Sequence, residues 1–526
     1  MDGAKSRNII ITAAAALQAV LYGVWPVLLI YSITLGDYAP DQLVEPITFV
    51  CVVNLALWAI LWLLRMDAAR AALIVTILSL ANFLYLPLSE ILILPAKLFP
   101  VPVPAAAVLC GYFLLLMAVV AVVGIGEFRL GQKVLKINVD RLVLPAVAIA
   151  VALCGFNLFT IAGFEAKSNE IAKQLAAKYF PSDQKLVVNK TSDKPDVYYV
   201  IIDGFANPET LKNILGYDNS EFVDYLHQNN FYVALNSCSN HDRTVFSVTS
   251  SLNMGLMTPL AEYLGAKDLD SNAPLKLFRD NRVMRLFKRA GYRIVNVCSG
   301  FCPTDYIPQA DVNFRSGWGT GFNMSLFHLS MLGAFEPYLH TVESEYANVR
   351  TAPIRRAAEI VNLEGPKFVL IHCLLTHPPF IFDEIGRRQP LTRQLLSAPY
   401  VKDPYLAQLK FTEKKLKELL NTLCRAGDGK SIVILQSDHG SSCTDWRNGA
   451  MFTKERMRIL NAYRVSDRMR SSLYQTITPV NTFRVVLNDL FGTEFPLQKD
   501  ESFVAIPPSE WYQFQNVTDL LKKSWQ

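Results

Sequence analysis

The chain has 526 residues, 51% of them apolar, and a formal net charge of +5. This length exceeds that of one ordinary domain, and the apolar fraction with its positive mean hydropathy is too high for a wholly soluble protein. The modest net charge carries no nucleic-acid signature, so nucleic acid is not expected among the partners.

The excess of apolar residues lies before about residue 165, in five long segments. These segments are residues 9–35, 47–64, 71–88, 103–125 and 142–164. Each approaches or exceeds the ~20 residues that a helix needs to cross a bilayer. Buried helices of a soluble core are the alternative, but five such segments in series with few charges favour membrane spans. Pro87, Glu90 and Pro95 predict an irregular outer end for the third span.

Basic residues in the connections predict the orientation of these spans. They precede the first span, join the second to the third and join the fourth to the fifth: Lys5, Arg7, Arg65, Arg70, Arg129, Lys133, Lys136 and Arg141. The connection after the first span instead carries Asp37, Asp41 and Glu45. By the positive-inside tendency the N-terminus is cytoplasmic, and five crossings place the chain after Phe164 outside. We therefore expect a multi-pass protein of the cytoplasmic (inner) membrane, with its C-terminal domain on the periplasmic or extracellular side.

Three regions are expected along the chain. Residues 1–164 form a transmembrane domain of five helices, 165–194 a juxtamembrane linker and 195–526 an extracytoplasmic domain. In the linker, apolar residues at helical spacing predict a helix that either lies along the membrane surface or simply connects the domains. After the linker, strand-like runs alternate with helical ones, which predicts an α/β domain with a largely parallel central sheet.

Two aspartates follow predicted buried strands directly. Asp203-Gly204 ends the run Val-Tyr-Tyr-Val-Ile-Ile, and Ser437-Asp438-His439-Gly440 ends the apolar run 431–435. Ligands of such sheets gather at the carboxyl ends of the strands. An adjacent aspartate and histidine offer an oxygen and a nitrogen to one divalent metal, although Asp-His-Gly also forms ordinary turns.

A third segment, Asn240-His241-Asp242-Arg243-Thr244, runs into hydroxyl-rich residues and predicts the start of a helix. A threonine at this position is usually only a cap. Together, however, Asp203, Thr244, Asp438 and His439 resemble the metal-and-nucleophile set of the alkaline phosphatase/sulfatase superfamily. The sequence segments YYVIIDGF, SSLNM, QSDHG and ERMRILNAY are similar to those of the membrane-bound transferase branch. This branch includes lipoteichoic acid synthases and phosphoethanolamine transferases. The resemblance covers about residues 195–492.

The resemblance implies a metal-dependent transferase with an alkaline phosphatase-like fold. It would move a phosphoethanolamine or phosphoglycerol group from a phospholipid donor, through a phospho-threonine on Thr244, to an extracytoplasmic glycan or lipid acceptor. Asp203, Asp438 and His439, with the Thr244 oxygen, would contact one divalent metal, either zinc or manganese, with magnesium as a further candidate. A membrane-tethered phosphodiesterase or phosphatase would use the same residues, and a catalytically silent lipid-binding regulator is the third alternative.

Further residues are candidates for substrate binding. His377, in Thr376-His377-Pro378, resembles the substrate- or metal-binding histidine of the family and is otherwise a turn histidine. Arg243 is placed to pair with phosphate oxygens or to form a surface salt bridge, and Asn240 is either a ligand or a loop former. His372 is expected to be packed or hydrogen-bonded. Since neither Cys238 nor Thr244 lies in the Cys/Ser-x-Pro-x-Arg pattern of type I sulfatases, sulfate ester hydrolysis is disfavoured.

Overall fold

The computed structural model describes residues 2–97, 105–125, 127–130, 133–136, 138–180, 194–266, 268, 272–315, 317, 321–335, 341–389, 401–505 and 510–523. The chain divides into two compact units. The helical unit comprises Met1–Ala166 and Thr320–Val342, and the sheet unit comprises Lys167–Gly319 and Glu343–Gln526.

The helical unit is built from long apolar helices. They are α1 (Asp2–Ile33), α2 (Val44–Leu63), α3 (Ala68–Lys97), α4 (Ala105–Ile125) and α5 (Asp140–Tyr179). All five are long and apolar enough to cross a membrane, which confirms the five predicted spans. A 3-10 turn, Pro40–Leu43, precedes α2, and a short antiparallel pair, β1 (Glu127–Leu130) and β2 (Lys133–Lys136), connects α4 to α5.

Two helices extend further than the sequence predicted. The irregular outer end expected for the third span was wrong, because α3 continues past Pro87 and Pro95 to Lys97. Apolar helices tolerate proline where neighbouring groups satisfy the freed backbone carbonyl. The α5 helix has 40 residues and contains both the fifth span and the start of the predicted linker. The two units divide within α5, at Ala166, and residues 181–193 of the linker lie outside the described residues.

The sheet unit is organised around seven strands. Their spatial order is β4 (Tyr232–Val233), β9 (Asn461–Arg464), β8 (Ile432–Gln436), β3 (Val197–Ile202), β7 (Lys367–Cys373), β5 (Arg293–Val297) and β6 (Val312–Phe314). Strands β8, β3, β7, β5 and β6 pair in parallel, whereas β9 is antiparallel to both of its neighbours. The predicted α/β domain with a largely parallel sheet is therefore confirmed. A separate antiparallel pair is formed by β10 (Phe503–Ala505) and β11 (Phe514–Asn516).

Helical residues pack on both faces of this sheet. The helices that lie mainly or wholly in the sheet unit are Pro208–Asn213, Ser220–Gln228, Thr244–Asn253, Leu260–Leu264, Asn272–Arg279, Arg282–Arg289, Cys302–Asp305, Thr341–Arg355, Ala357–Val361, Lys402–Arg425, Ala450–Met457, Asp467–Arg470, Pro479–Phe491 and Thr518–Lys522. In β3, Val197, Tyr199 and Ile201 face one hydrophobic core, while the alternate residues face a second. Burial on both faces explains why β3 is apolar without interruption.

Candidate functional site

The candidate site lies where three adjacent parallel strands end. Asp203 directly follows β3, and Asp438 and His439 follow β8 after a single serine. His377 lies in the turn after β7. Because β8, β3 and β7 are neighbours with the same direction, their carboxyl ends meet at one edge of the sheet.

The four residues of the predicted metal-and-nucleophile set come together at this edge. Asp203, Asp438 and His439 are buried, and one potential ligand atom from each lies within 4.8 Å of the others. The Thr244 hydroxyl oxygen lies 3.3 Å from Asp203 Oδ2 and 3.2 Å from His439 Nε2. The threonine oxygen thus borders a cluster of two carboxylates and one imidazole.

The carboxylates leave polar atoms available to a cation. Asp203 Oδ1 and Asp438 Oδ2 are buried and have no hydrogen-bond partner among the residues that the structure describes. Buried polar atoms without partners are energetically costly, so this arrangement fits a bound cation. Two carboxylates with one imidazole are a donor set that divalent zinc or manganese accepts.

The electrostatics of the two aspartates also favour a cation between them. Burial, together with the negative charge of Asp203, raises the pKa of Asp438. Burial opposes ionisation of Asp203 as well, but His377 and His372 outweigh it and hold the pKa of Asp203 well below its usual range. A divalent cation at this position would relieve the repulsion between the two carboxylates.

His439 is oriented by its own backbone neighbour. Its Nδ1 lies 2.9 Å from the Gly440 carbonyl, which accepts a hydrogen bond and so fixes the proton on Nδ1. The lone pair of Nε2 then faces Thr244 and the carboxylates. Burial lowers the pKa of His439 to about 3, so the ring is neutral, as metal ligation requires.

Thr244 is the first residue of the helix Thr244–Asn253. The free backbone N–H groups and the positive end of the helix dipole stabilise negative charge near its hydroxyl. Within this helix, the Ser247 hydroxyl donates to the Asp438 carbonyl at 2.7 Å. The Ser239 hydroxyl also donates to that carbonyl. These contacts fix the helix start against the end of β8.

Glu455 supports the loop that carries His439, a role that the sequence did not indicate. Its fully buried carboxylate accepts hydrogen bonds from the Ser441 hydroxyl at 2.6 Å and from the Cys443 and Thr444 N–H groups at 2.6 and 2.8 Å. Glu455 lies in the segment ERMRILNAY, so the family resemblance included the residue without indicating this supporting role.

Gly440 lies against the backbone at the C-terminal end of the helix Ala450–Met457, which contains Glu455. A Cβ atom there would stand 2.1 Å from the Glu455 carbonyl oxygen and 2.7 Å from that of Arg458. We expect Gly440→Ala to destabilise the sheet unit by about 1–3 kcal/mol or more, since backbone atoms must move. Thermal unfolding of the purified full chain measures the effect. Gly163→Ala, where a Cβ meets nothing within 4 Å, is the control; equal melting temperatures for both variants would contradict the expected clash.

His377 is held by a buried arginine on the helix Thr341–Arg355. Arg350 donates to the carbonyl of His377, to that of Pro378 at 2.8 Å and to that of Pro379 at 2.7 Å. The His377 Nδ1 donates to the Pro378 carbonyl at 2.6 Å. Arg350 is therefore a positioning residue for the turn, and no local sequence pattern marks it.

His372 borders the site more closely than the sequence suggested. The ring is fully buried, with Nδ1 2.9 Å from the Thr304 hydroxyl and Nε2 3.4 Å from Asp203 Oδ2. It is hydrogen-bonded, as predicted, and it also faces a carboxylate of the cluster.

The two remaining candidates make contacts outside the cluster. The Arg243 guanidinium lies 4.6 Å from the ring centroid of Trp511, a cation–π distance. The Asn240 side chain accepts from the Val480 N–H and donates to the Glu501 carbonyl, both at 2.8 Å. These two backbone contacts correspond to the loop-forming alternative for Asn240.

Comparison with known proteins gives one family match. The Sulfatase family model matches residues 195–479, more than half of the chain. No curated protein sequence matches.

Solved structures with similar chains include phosphoethanolamine transferases and a putative sulfatase. The Escherichia coli EcEptC periplasmic domain in complex with Zn has 13% identity over 63% of this chain and 90% of that chain, with a TM-score of 0.41. Integral membrane lipooligosaccharide phosphoethanolamine transferase A from Neisseria meningitidis has 13% identity over 91% and 95%, with a TM-score of 0.39. A putative sulfatase from Bacteroides thetaiotaomicron has 11% identity over 58% and 73%, with a TM-score of 0.38.

Proposed function

The chain belongs to the sulfatase family, within the alkaline phosphatase/sulfatase superfamily of enzymes, and from this premise we propose that it is a membrane-bound head-group transferase. This membership confirms the superfamily recognised from the motifs. The proposed reaction moves phosphoethanolamine or phosphoglycerol from a phospholipid to an extracytoplasmic glycan or lipid. The observation that carries the proposal is the Thr244 hydroxyl against the Asp203, Asp438 and His439 cluster, in a chain with five membrane-capable helices.

In the first half-reaction, the Thr244 oxygen attacks the phosphorus of the donor. Its proton is released to solvent as the bond to phosphorus forms. Asp203 Oδ2 accepts a hydrogen bond from the hydroxyl at 3.3 Å and stays ionised, because its pKa is held low. The bond between phosphorus and the diacylglycerol oxygen breaks, and that oxygen takes up one proton from solvent, which balances the proton released by Thr244. A divalent metal held by Asp203, Asp438 and His439 would supply Lewis acidity to the hydroxyl and to the phosphoryl group.

In the second half-reaction, an acceptor hydroxyl attacks the phosphorus of phospho-Thr244. The bond from phosphorus to the Thr244 oxygen breaks, and the threonine regains a proton as the acceptor hydroxyl loses one. The N-terminus of the helix Thr244–Asn253 stabilises the phosphoryl charge through both steps. His377 and Arg243 are the proposed substrate-binding groups, and Asn240 is retained only as a support for the loop before Thr244.

The membrane helices give a physical reason for transfer from a lipid. Diacylglycerol is insoluble in water, so an enzyme that releases it should work at a bilayer surface. The basic residues of the connections support an outer position for the sheet unit, on the periplasmic or extracellular side of the cytoplasmic membrane.

Product analysis distinguishes transfer from hydrolysis. The full chain is reconstituted in liposomes with acyl-labelled phosphatidylethanolamine or phosphatidylglycerol, with and without an extract of cell-surface glycans and lipids. Mass spectrometry then follows the diacylglycerol and the head group. We expect diacylglycerol release with the head group on an acceptor. Free head-group phosphate in both reactions would identify a phosphodiesterase or phosphatase, and intact donor throughout would contradict both activities.

A further inference from the structure

A short segment of the chain returns to the helical unit after the sheet unit has begun. This re-entry segment, residues 321–335, contains the helix Gly321–Leu329 and the 3-10 turn Met331–Phe335. In sequence it lies between β6 and the helix Thr341–Arg355, yet it belongs to the helical unit. The chain therefore contributes to the helical unit twice.

The helix of the re-entry segment packs on the connection between α1 and α2. The buried Phe322 ring lies 5.4 Å from the ring of Tyr31 and 5.2 Å from that of Tyr38. The Tyr38 and Ser325 hydroxyls are 2.6 Å apart, and the Phe322 N–H donates to Gln42 Oε1 at 3.3 Å. These aromatic and polar contacts fix the segment at the end of α1.

The 3-10 turn of the re-entry segment reaches residues inside two candidate spans. It packs Met331, Ala334 and Phe335 on a cluster formed by Ala81, Tyr85, Leu109, Tyr112 and Leu116. The ring centroids of Phe335 and Phe113 are 6.1 Å apart. Tyr112 is five residues inside the apolar stretch that begins at Ala107, about 8 Å along the helix axis at 1.5 Å per residue. The 3-10 turn therefore packs beside residues of α3 and α4 that lie within the apolar stretches of the candidate spans.

The backbone of the segment is suited to such a depth. The segment is helical on both sides of Ser330. The Ser330 N–H donates to the Leu326 carbonyl at 3.0 Å, and the Gly333 N–H donates to the Ser330 carbonyl at 3.1 Å. The Ser330 hydroxyl donates to the Phe327 carbonyl at 2.8 Å and accepts from the Leu332 N–H at 3.2 Å. Irregular backbone is tolerated inside a membrane where it packs against protein and keeps its polar groups paired.

Two leucines of the segment remain exposed in this structure. Leu329 is 38% exposed and Leu332 is 49% exposed. Leu114 of α4, inside the candidate span that begins at Ala107, is likewise exposed, at 73%. We propose that the re-entry segment is embedded in the outer leaflet and that Leu329 and Leu332 contact lipid acyl chains. The inference requires that the five helices cross a bilayer, but it does not depend on the transfer reaction.

Photo-crosslinking in liposomes tests this contact. The photoreactive residue p-benzoyl-phenylalanine is introduced at Leu332, at Leu329 or at a control position in the otherwise intact chain. After irradiation in phosphatidylcholine vesicles, mass spectrometry identifies lipid adducts on the labelled peptide. We expect a lipid adduct at Leu332, with a yield within about threefold of that at Leu114, which serves as the reference inside a span.

Leu497 in the sheet unit is the matched control, because it is 50% exposed, as Leu332 is. No lipid adduct is expected at Leu497. A yield at both Leu332 and Leu329 no higher than at Leu497 would overturn the proposal, whether or not Leu114 reacts. Crosslinks from these leucines to a second protein chain in place of lipid would also overturn it.

Discussion

The variant Thr244→Ala is expected to lose at least about 1,000-fold in turnover, which corresponds to about 4 kcal/mol of transition-state stabilisation. The change removes the oxygen that lies 3.3 Å from Asp203 and 3.2 Å from His439, and it removes little packing volume. Release of diacylglycerol from reconstituted protein measures the first half-reaction. Mass spectrometry of the wild-type protein after incubation with donor and without acceptor should show a phosphoryl adduct on Thr244 that the variant lacks.

Two further variants separate chemistry from folding. Thr244→Ser keeps an attacking hydroxyl, so part of the activity and the adduct should remain. Thr422→Ala removes a hydroxyl that donates to the Glu418 carbonyl within its own helix, and it should leave activity unchanged. Full turnover in Thr244→Ala, with an unchanged melting temperature, would show that another residue is the nucleophile.

The residues at the carboxyl edge of the sheet were predictable because each strand has a recognisable local sequence pattern. An uninterrupted apolar run predicts a strand buried on both faces, and a polar residue that follows it marks the carboxyl end. Asp203 after β3 and Asp438 after β8 both meet this description. Adjacency of β3 and β8 then places the two carboxylates together. The five spans were predictable for a similar reason, since length and composition alone define them.

The supporting residues depend on contacts between distant parts of the chain, which no local pattern encodes. Arg350 meets the turn at His377 only because its helix packs there, and Glu455 meets the loop after His439 in the same way. The re-entry segment is too short to read as a membrane span, so its place in the helical unit has no signal in the sequence. The hydrogen bonds of Arg350 and Glu455 can therefore be identified only from the folded structure.

Asp438→Asn is expected to weaken divalent-metal binding by at least about 100-fold, since loss of groups that only support metal ligands already costs 10–100-fold. The amide keeps an oxygen that accepts from the Gly204 N–H, as Asp438 Oδ1 does at 3.1 Å. It replaces the partnerless Oδ2 with an NH₂ group, which does not bind a cation. Calorimetric titration of the chelator-treated full chain with zinc and with manganese measures the affinity.

Thermal unfolding distinguishes loss of the metal from loss of the fold. A cation that binds only the folded state stabilises it by about 2.7 kcal/mol at a concentration 100 times its Kd. We therefore expect zinc or manganese to raise the melting temperature of the wild type and of Asp445→Asn, whose carboxylate pairs with Arg447 on the surface. At the same concentration of metal the melting temperature of Asp438→Asn should not change. In chelator it should be no lower than that of the wild type, because Asn removes a buried negative charge beside Asp203. Wild-type metal affinity in Asp438→Asn would mean that the cluster of Asp203, Asp438 and His439 is not the metal site.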